Sequence, residues 1–210
     1  MSLHTPLLLV LVFFSVVCHE IAHGLIAFKL GDPTAYRAGR LTFNPLPHID
    51  ILGTVILPLF LLVSGSHILF AWAKPVPVNP AYFRDPREGM MYVAMAGPGT
   101  NLAIAVALTI LLHLGASVLP QWLVRAMAWG ALINVVLMVF NLIPIPPLDG
   151  SRIVARFLEG RALHSYMRLE RYGLFIVFGL LYLGVISRLL YPALNMAVKV
   201  LDLGKFLVRF

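Results

Sequence analysis

The sequence predicts an all-α polytopic membrane protein with about four to six membrane segments, one of them re-entrant, and three observations carry that expectation. The 210 residues are 60% hydrophobic and only 12% charged, with a mean hydropathy of +0.90. A soluble domain carries about 25% charged residues, and half of that leaves too little polar surface to face water. Asp, Glu, Lys and Arg are absent from residues 1–19, 51–73, 90–124, 126–148 and 172–187. Most of these runs meet or approach the ~20 residues that span a bilayer core as a helix. They are also continuous and rich in Leu, Val and Ala, without the alternation of barrel strands, so each backbone must satisfy its own hydrogen bonds as a helix.

The first run predicts a helix over about 5–30. No Lys or Arg precedes it, and Val17 before Cys18 is bulkier than a processing site accepts, so a retained helix is expected rather than a signal peptide. Gly31-Asp32-Pro33 ends it. Arg40-Leu41-Thr42-Phe43 alternates, which predicts a short strand or hairpin within 36–48 before Pro45 and Pro47 break it. Residues 51–73 are apolar but interrupted by Gly53, Pro58 and Ser64-Gly65-Ser66. In Lys74-Pro75-Val76-Pro77-Val78-Asn79-Pro80, prolines remove amide protons too often for regular helix. Helices are then expected over 90–114 and 122–142, a Pro-rich bend to Leu148-Asp149-Gly150, an Arg-rich segment, and one long or two shorter apolar helices over about 172–198. No tandem repeat or linker divides the chain, so residues 1–210 are expected to form one domain.

The net charge of +7 would suggest nucleic acid in a soluble protein. Here the cations lie between apolar runs, where they orient the chain against a cytoplasmic leaflet, and no nucleic-acid partner is expected. Arg152, Arg156, Arg161, Arg168 and Arg171 place the segment after Asp149 on the cytoplasmic side, together with the end of the first helix and the loop over 74–88. A single crossing by 51–73 would conflict with that arrangement. A re-entrant hairpin resolves it, while a crossing that breaks the charge rule is the competing reading. The single cysteine, Cys18, excludes an intrachain disulfide, and its position about 100° around the helix from His19 suits a small packing residue.

Chemistry concentrates in His19-Glu20-Ile21-Ala22-His23, an H-E-x-x-H pattern inside a helix. Residues four apart share a helix face, so both imidazoles reach one ion, and Glu20 reaches a water bound to it. Three ionisable groups in an apolar helix are expensive in lipid and point to function rather than to polar helix packing. A catalytic zinc usually takes three protein ligands and a water. Asp149 is the candidate third ligand, because it ends a charge-free run in a Pro-constrained turn closed by Gly150; the competing reading is an N-cap of the next helix. Asn101, in Ala96-Gly97-Pro98-Gly99-Thr100-Asn101, is explained equally by close helix packing and by substrate contact. His48 and Asp50 suit a local hydrogen-bonded turn, and His4, His67, His113 and His164 match no ligand spacing.

His19-Glu20-x-x-His23, followed more than a hundred residues later by Asn141-Leu142-Ile143-Pro144-Ile145-Pro146-Pro147-Leu148-Asp149-Gly150, resembles the site-2 protease family of intramembrane zinc metalloproteases. Gly39-Arg40-Leu41-Thr42-Phe43-Asn44-Pro45 with His48-Ile49-Asp50, the segment 73–80 and Ala96–Asn101 are similar to its compact bacterial branch. No segment resembles the PDZ or nucleotide-sensing domain that many relatives carry. The resemblance implies that His19, His23 and Asp149 bind one Zn2+, that Glu20 is the catalytic acid/base, and that Asn141 orients the substrate or stabilises the oxyanion. It further implies a transmembrane protein substrate within the lipid bilayer of a bacterial cell, with the site toward the cytoplasmic side.

His19 and His23 precede Phe28 by nine and five residues, roughly 8–14 Å along a helix. The site is therefore expected inside the hydrocarbon region and needs a polar path for water. A substrate helix must unwind there, and residues 36–44 are expected to offer it an edge strand. The rival readings are a zinc or proton transporter with the same buried His, Glu and Asp, and a catalytically silent membrane chaperone.

Overall fold

The computed structural model describes residues 4–65 and 71–207, and among them it contains helices and connecting loops with no β-strand. The first apolar run forms α1 (His4–Lys29), followed by the short α2 (Thr34–Arg37). A π-helical turn at Ile51–Ile56 leads into α3 (Leu57–Val63). The two long apolar runs give α4 (Pro86–Gly115) and α5 (Gln121–Asn141). The Arg-rich segment folds as α6 (Asp149–Phe157) and α7 (Gly160–Arg168), and the last apolar run as α8 (Gly173–Tyr182), α9 (Val185–Val200) and α10 (Gly204–Leu207).

The Val10–Lys29 part of α1, with α4 and α5, is long and apolar enough to cross a membrane. Residues Gly160–Tyr182 and Val185–Val200, bent by 70° at the break between them, make a fourth span if they count as one. The chain is an integral membrane protein. Helices α1, α4 and α5 pack on one another, α6 lies on α4, and α9 and α10 lie on α5. Lipid tails are as apolar as leucine, so hydrophobicity does not drive helices together; close contact and buried hydrogen bonds do. Ala105, Ala128 and Ala131 are fully buried and let α4 and α5 approach. Bulky apolar groups turn outward instead: Leu114, Phe175 and Tyr182 are 78%, 79% and 85% exposed, as lipid-facing side chains should be.

The segment 51–73 returns to the point it left. Lys74 donates its amide to the His48 carbonyl at 2.9 Å and Trp72 to the Gly53 carbonyl at 3.2 Å, while the Thr54 hydroxyl donates to the Trp72 carbonyl at 2.8 Å. Its helical part, Ile51–Val63, is about 20 Å long at 1.5 Å per residue, well short of a ~30 Å hydrocarbon core. The two ends of the segment thus meet, a path that suits the re-entrant reading from charge. Residues 66–70, with His67, lie outside the described residues.

The strand or hairpin expected within 36–48 is absent. Residue 37 ends α2, and Leu46–His48 is a 3-10 turn. The alternation covers only four residues, and no neighbouring strand offers a ladder. Local side chains take its backbone groups instead: His48 Nε2 donates to the Thr42 carbonyl at 3.0 Å and the Asn44 amide to Thr42 Oγ1 at 3.1 Å. His48 is fully buried, and Asp50 accepts from the Gly53 amide at 2.7 Å. Both residues hold turns, as their local pattern suggested.

One end of the bundle gathers the loops that matter. Asp32, fully buried, accepts from the Asn79 amide at 2.7 Å and so ties the exit of α1 to the entry of α4. Arg87 at the start of α4 donates to the carbonyls of Arg156 and Leu158, at 2.6 and 2.8 Å, and satisfies the last turn of α6. At the start of α4 itself, the amides of Glu88 and Arg87 hold the Asp85 carboxyl below the usual carboxylate range.

Candidate metal centre

One helical turn of α1 presents His19 and His23 to the same point, both buried, at 6% and 8% exposure. Their Nε2 atoms are 2.9 Å apart. Asp149, the first residue of α6, brings its Oδ2 to 3.1 Å from His19 Nε2 and 3.3 Å from His23 Nε2. Three atoms from two distant parts of the chain thus form a nearly equilateral triangle. Tetrahedral zinc, with ligands at 2.0–2.1 Å, sets its donors about 3.3 Å apart.

The other ring nitrogens decide what those atoms are. His23 Nδ1 faces the Val93 carbonyl at 2.7 Å, and His19 Nδ1 faces Asn101 Oδ1 at 2.7 Å. Each partner is an acceptor, so each neutral imidazole carries its proton on Nδ1 and aims a lone pair inward. Asp149 Oδ2 is buried and has no hydrogen-bond donor. With both rings neutral, the three inward atoms are all acceptors and repel one another unless a cation sits among them. The donor set, spacing and burial therefore fit one zinc ion, and the carbonyl and amide behind the rings are the kind of support that fixes metal-ligating histidines.

Space for the rings comes from α4. A Cβ on Gly97 would lie 2.5 Å from His19 Cε1, His19 Nε2 and His23 Nε2, so only glycine fits there. Asp149 is held by the turn before it. A Cβ on Gly150 would lie 2.2 Å from the Leu142 carbonyl oxygen, Ser151 Oγ donates to the Leu148 carbonyl at 2.7 Å, and the Tyr166 hydroxyl donates to that of Pro144 at 2.8 Å. The N-cap position of α6 is Leu148, so the Asp149 carboxylate does not cap the helix; it turns to the histidines.

Glu20 sits beside this triangle. A carboxylate oxygen of Glu20 and one nitrogen each of His19 and His23 all lie within 4.8 Å of one another. Its Oε2 accepts from the Val76 amide at 2.8 Å, and the other oxygen is left for a proton. Pro75 and Pro77 cannot donate, so Val76 supplies the amide the loop has at this point. Arg40, buried at 6% exposure, fixes the same loop by donating to the Lys74 carbonyl at 2.6 Å. A cavity of about 390 Å³ opens onto His19 and Glu20, with Ala73, Leu137, Phe140, Asn141, Leu148 and Leu174 among its walls. Asn141 thus stands in the same cavity, with Nδ2 donating back to the Leu137 carbonyl at 2.9 Å and its second amide proton without a partner among the described residues. Cys18 is half-buried and takes no part in the triangle.

Every residue singled out for the site from sequence is thus in one place. Sequence reasoning missed Gly97, Val93 and Val76, whose contributions are a missing side chain and two backbone groups. The Gly97-Pro98-Gly99 run was a signal for close approach, although it did not say to what.

Known proteins extend the picture. The profile described as Peptidase family M50 matches residues 113–184. YwhC of Bacillus subtilis, provisionally named a zinc metalloprotease, is 38% identical over 198 residues, covering 90% of this chain and 86% of its own. Rip2 of Mycolicibacterium smegmatis, named in the same way, is 26% identical over 181 residues, covering 86% of this chain and 65% of its own. A Methanocaldococcus jannaschii protein, MJ0611, also so named, is 31% identical over 139 residues, covering 66% and 63%. No solved structure matches the chain. With a matching family profile and 38% identity through nearly the whole length of a relative, the chain belongs to peptidase family M50, the site-2 protease family of zinc metalloproteases.

Proposed function

We propose that the protein is an intramembrane zinc endopeptidase that cuts transmembrane protein substrates in or near their membrane segments. The observation that carries this reading is the triangle of His19 Nε2, His23 Nε2 and Asp149 Oδ2, at 2.9–3.3 Å, with Glu20 alongside in an apolar-walled cavity. His19, His23 and Asp149 would hold a single zinc ion, which supplies a Lewis acid and lowers the pKa of water at the site. Glu20, steered by the Val76 amide, takes the proton of the attacking water and returns it to the leaving amine. Asn141 directs its second amide proton toward the substrate carbonyl as charge develops there. The apolar lining of the cavity suits a substrate that arrives from lipid.

The absence of a strand over 36–44 moves the substrate track. The extended stretch beside Glu20 is 71–76, where the amides of Trp72, Lys74 and Val76 are all paired on one side. Ala73 and Pro75 line the cavity on the other. An unwound substrate would lie along Ala73, whose backbone groups have no partner among the described residues. The cations at this end, Arg152 and Arg156 of α6 among them, favour a site toward the cytoplasmic side of a bacterial cell membrane.

The test is Glu20→Gln in reconstituted membranes with a reporter substrate. Zinc retained with cleavage reduced about 10²–10⁴-fold is expected of a lost general base. A zinc or proton flux through the unaltered protein that survives the substitution, without proteolysis, would instead select the transporter.

A further inference from the structure

Behind His19 runs a buried polar chain that the site as described does not explain. Asn101 accepts from His19 Nδ1 and donates its Nδ2 to Asn134 Oδ1 at 2.9 Å. Asn134 donates its own Nδ2 to Ser15 Oγ at 2.9 Å and to the Gly130 carbonyl at 2.9 Å. Ser15 closes the chain by donating to the Leu11 carbonyl at 2.8 Å. Asn101, Asn134 and Ser15 are 0%, 1% and 3% exposed, and they come from α4, α5 and α1.

The direction of this chain is forced. The Gly130 carbonyl can only accept, and Ser15 spends its proton on the Leu11 carbonyl, so the amide nitrogen of Asn134 must face Gly130 and Ser15 and its oxygen must face Asn101. That oxygen can only accept, so Asn101 must turn its nitrogen to it and its oxygen to His19. A flipped Asn101 would present N–H groups to His19 Nδ1, which would then have to be an acceptor. The ring proton would sit on Nε2 and block the atom that faces Asp149. On the surface of a helix an asparagine flips freely; here two backbone carbonyls, reached through Asn134, forbid it.

We infer that Asn134 is a positioning residue for the metal centre: through Asn101 it selects the His19 tautomer that leaves Nε2 open to zinc. This rests on the zinc reading of the site. It gives Asn101 a role other than helix packing or substrate contact, and it assigns one to Asn134, which stands 33 residues away from Asn101 in sequence.

The test measures zinc affinity of the full chain by chelator competition in nanodiscs, without reference to proteolysis. Asn101→Leu should weaken zinc by about 10–100-fold, the usual effect of losing a partner behind a ligand. Asn134→Leu should weaken it by about tenfold, because Asn101 is then free to flip. Asn101→Asp alone would lose the donor that Asn134 Oδ1 faces, so it is combined with Asn134→Leu, where the carboxylate offers His19 an acceptor either way round. The double variant should therefore bind zinc more tightly than Asn134→Leu alone. A double variant that binds zinc no better than Asn134→Leu would show a merely structural role and overturn the inference, as would Asn134→Leu binding zinc normally. If that variant does not fold, Asn134→Ala carries the same expectations. Should the unaltered protein fail to bind zinc, the metal reading falls and takes this inference with it; loss confined to the relay test leaves that reading standing.

Discussion

Replacing Gly97 by alanine sets two effects against each other. Alanine is favoured over glycine in a helix interior by about 1 kcal/mol, so α4 alone would gain. The added methyl, however, would stand 2.5 Å from three imidazole atoms of His19 and His23. Ordinary carbon contacts prefer about 3.5–4.0 Å, so something must give by about 1 Å. The rings cannot yield cheaply, because Asn101 and the Val93 carbonyl hold them from behind at 2.7 Å each. If α4 retreats instead, it carries Asn101, one turn along, away with it. A displacement of about 1 Å at a reacting centre costs on the order of 10²-fold in rate, nearly 3 kcal/mol of barrier, and overpacking costs about 1–3 kcal/mol of stability, which meets or exceeds the helical gain. Gly97→Ala should therefore gain no stability, bind zinc at least about tenfold more weakly, and cleave about 10²-fold more slowly. Gly99→Ala is the control: nothing lies within 4 Å of its added methyl, so it should keep both properties. Normal zinc affinity and turnover in Gly97→Ala would refute the claim that this glycine is the bed of the metal centre.

Two further outcomes test the remaining parts. Asp149→Asn exchanges an anionic donor for a neutral amide between two imidazoles, and zinc measured after dialysis should be lost while the helical content by circular dichroism is kept. Val76→Pro removes the amide that steers Glu20 yet keeps an extended loop already flanked by prolines. It should lower the cleavage rate about tenfold or more without loss of bound zinc; an unchanged rate would mean that Glu20 needs no such guide.

Much of the site was legible because its chemistry is carried by side chains with strong local context. His19 and His23 share one helix face with Glu20 beside them, and their cost in lipid marks all three. Asp149 was legible from a charge-free run ending in a rigid turn, although spacing alone could not separate a ligand from an N-cap; only the approach of α6 to α1 does that. The meeting of the two ends of 51–73 could be read from charge balance, since two cationic ends cannot lie on opposite sides at no cost. What stayed hidden depends on contacts between residues far apart in sequence. Gly97 is informative only once the imidazoles beside it are known, and the link from Asn134 to Ser15 spans 119 residues. The expected strand failed for a related reason: alternation describes one strand, and a strand exists only if the fold supplies a partner.

The order in which the centre is made follows from the distance between its parts. His19 and His23 emerge from the ribosome early, whereas Asp149 follows only when about seven-tenths of the 210 residues have been synthesised. Until α6 docks against α4, the two histidines have no carboxylate opposite them. In the proposed peptidase the third ligand therefore arrives only once α6 has docked, and a cation held between His19, His23 and Asp149 would clasp the first helix to the sixth across that seam.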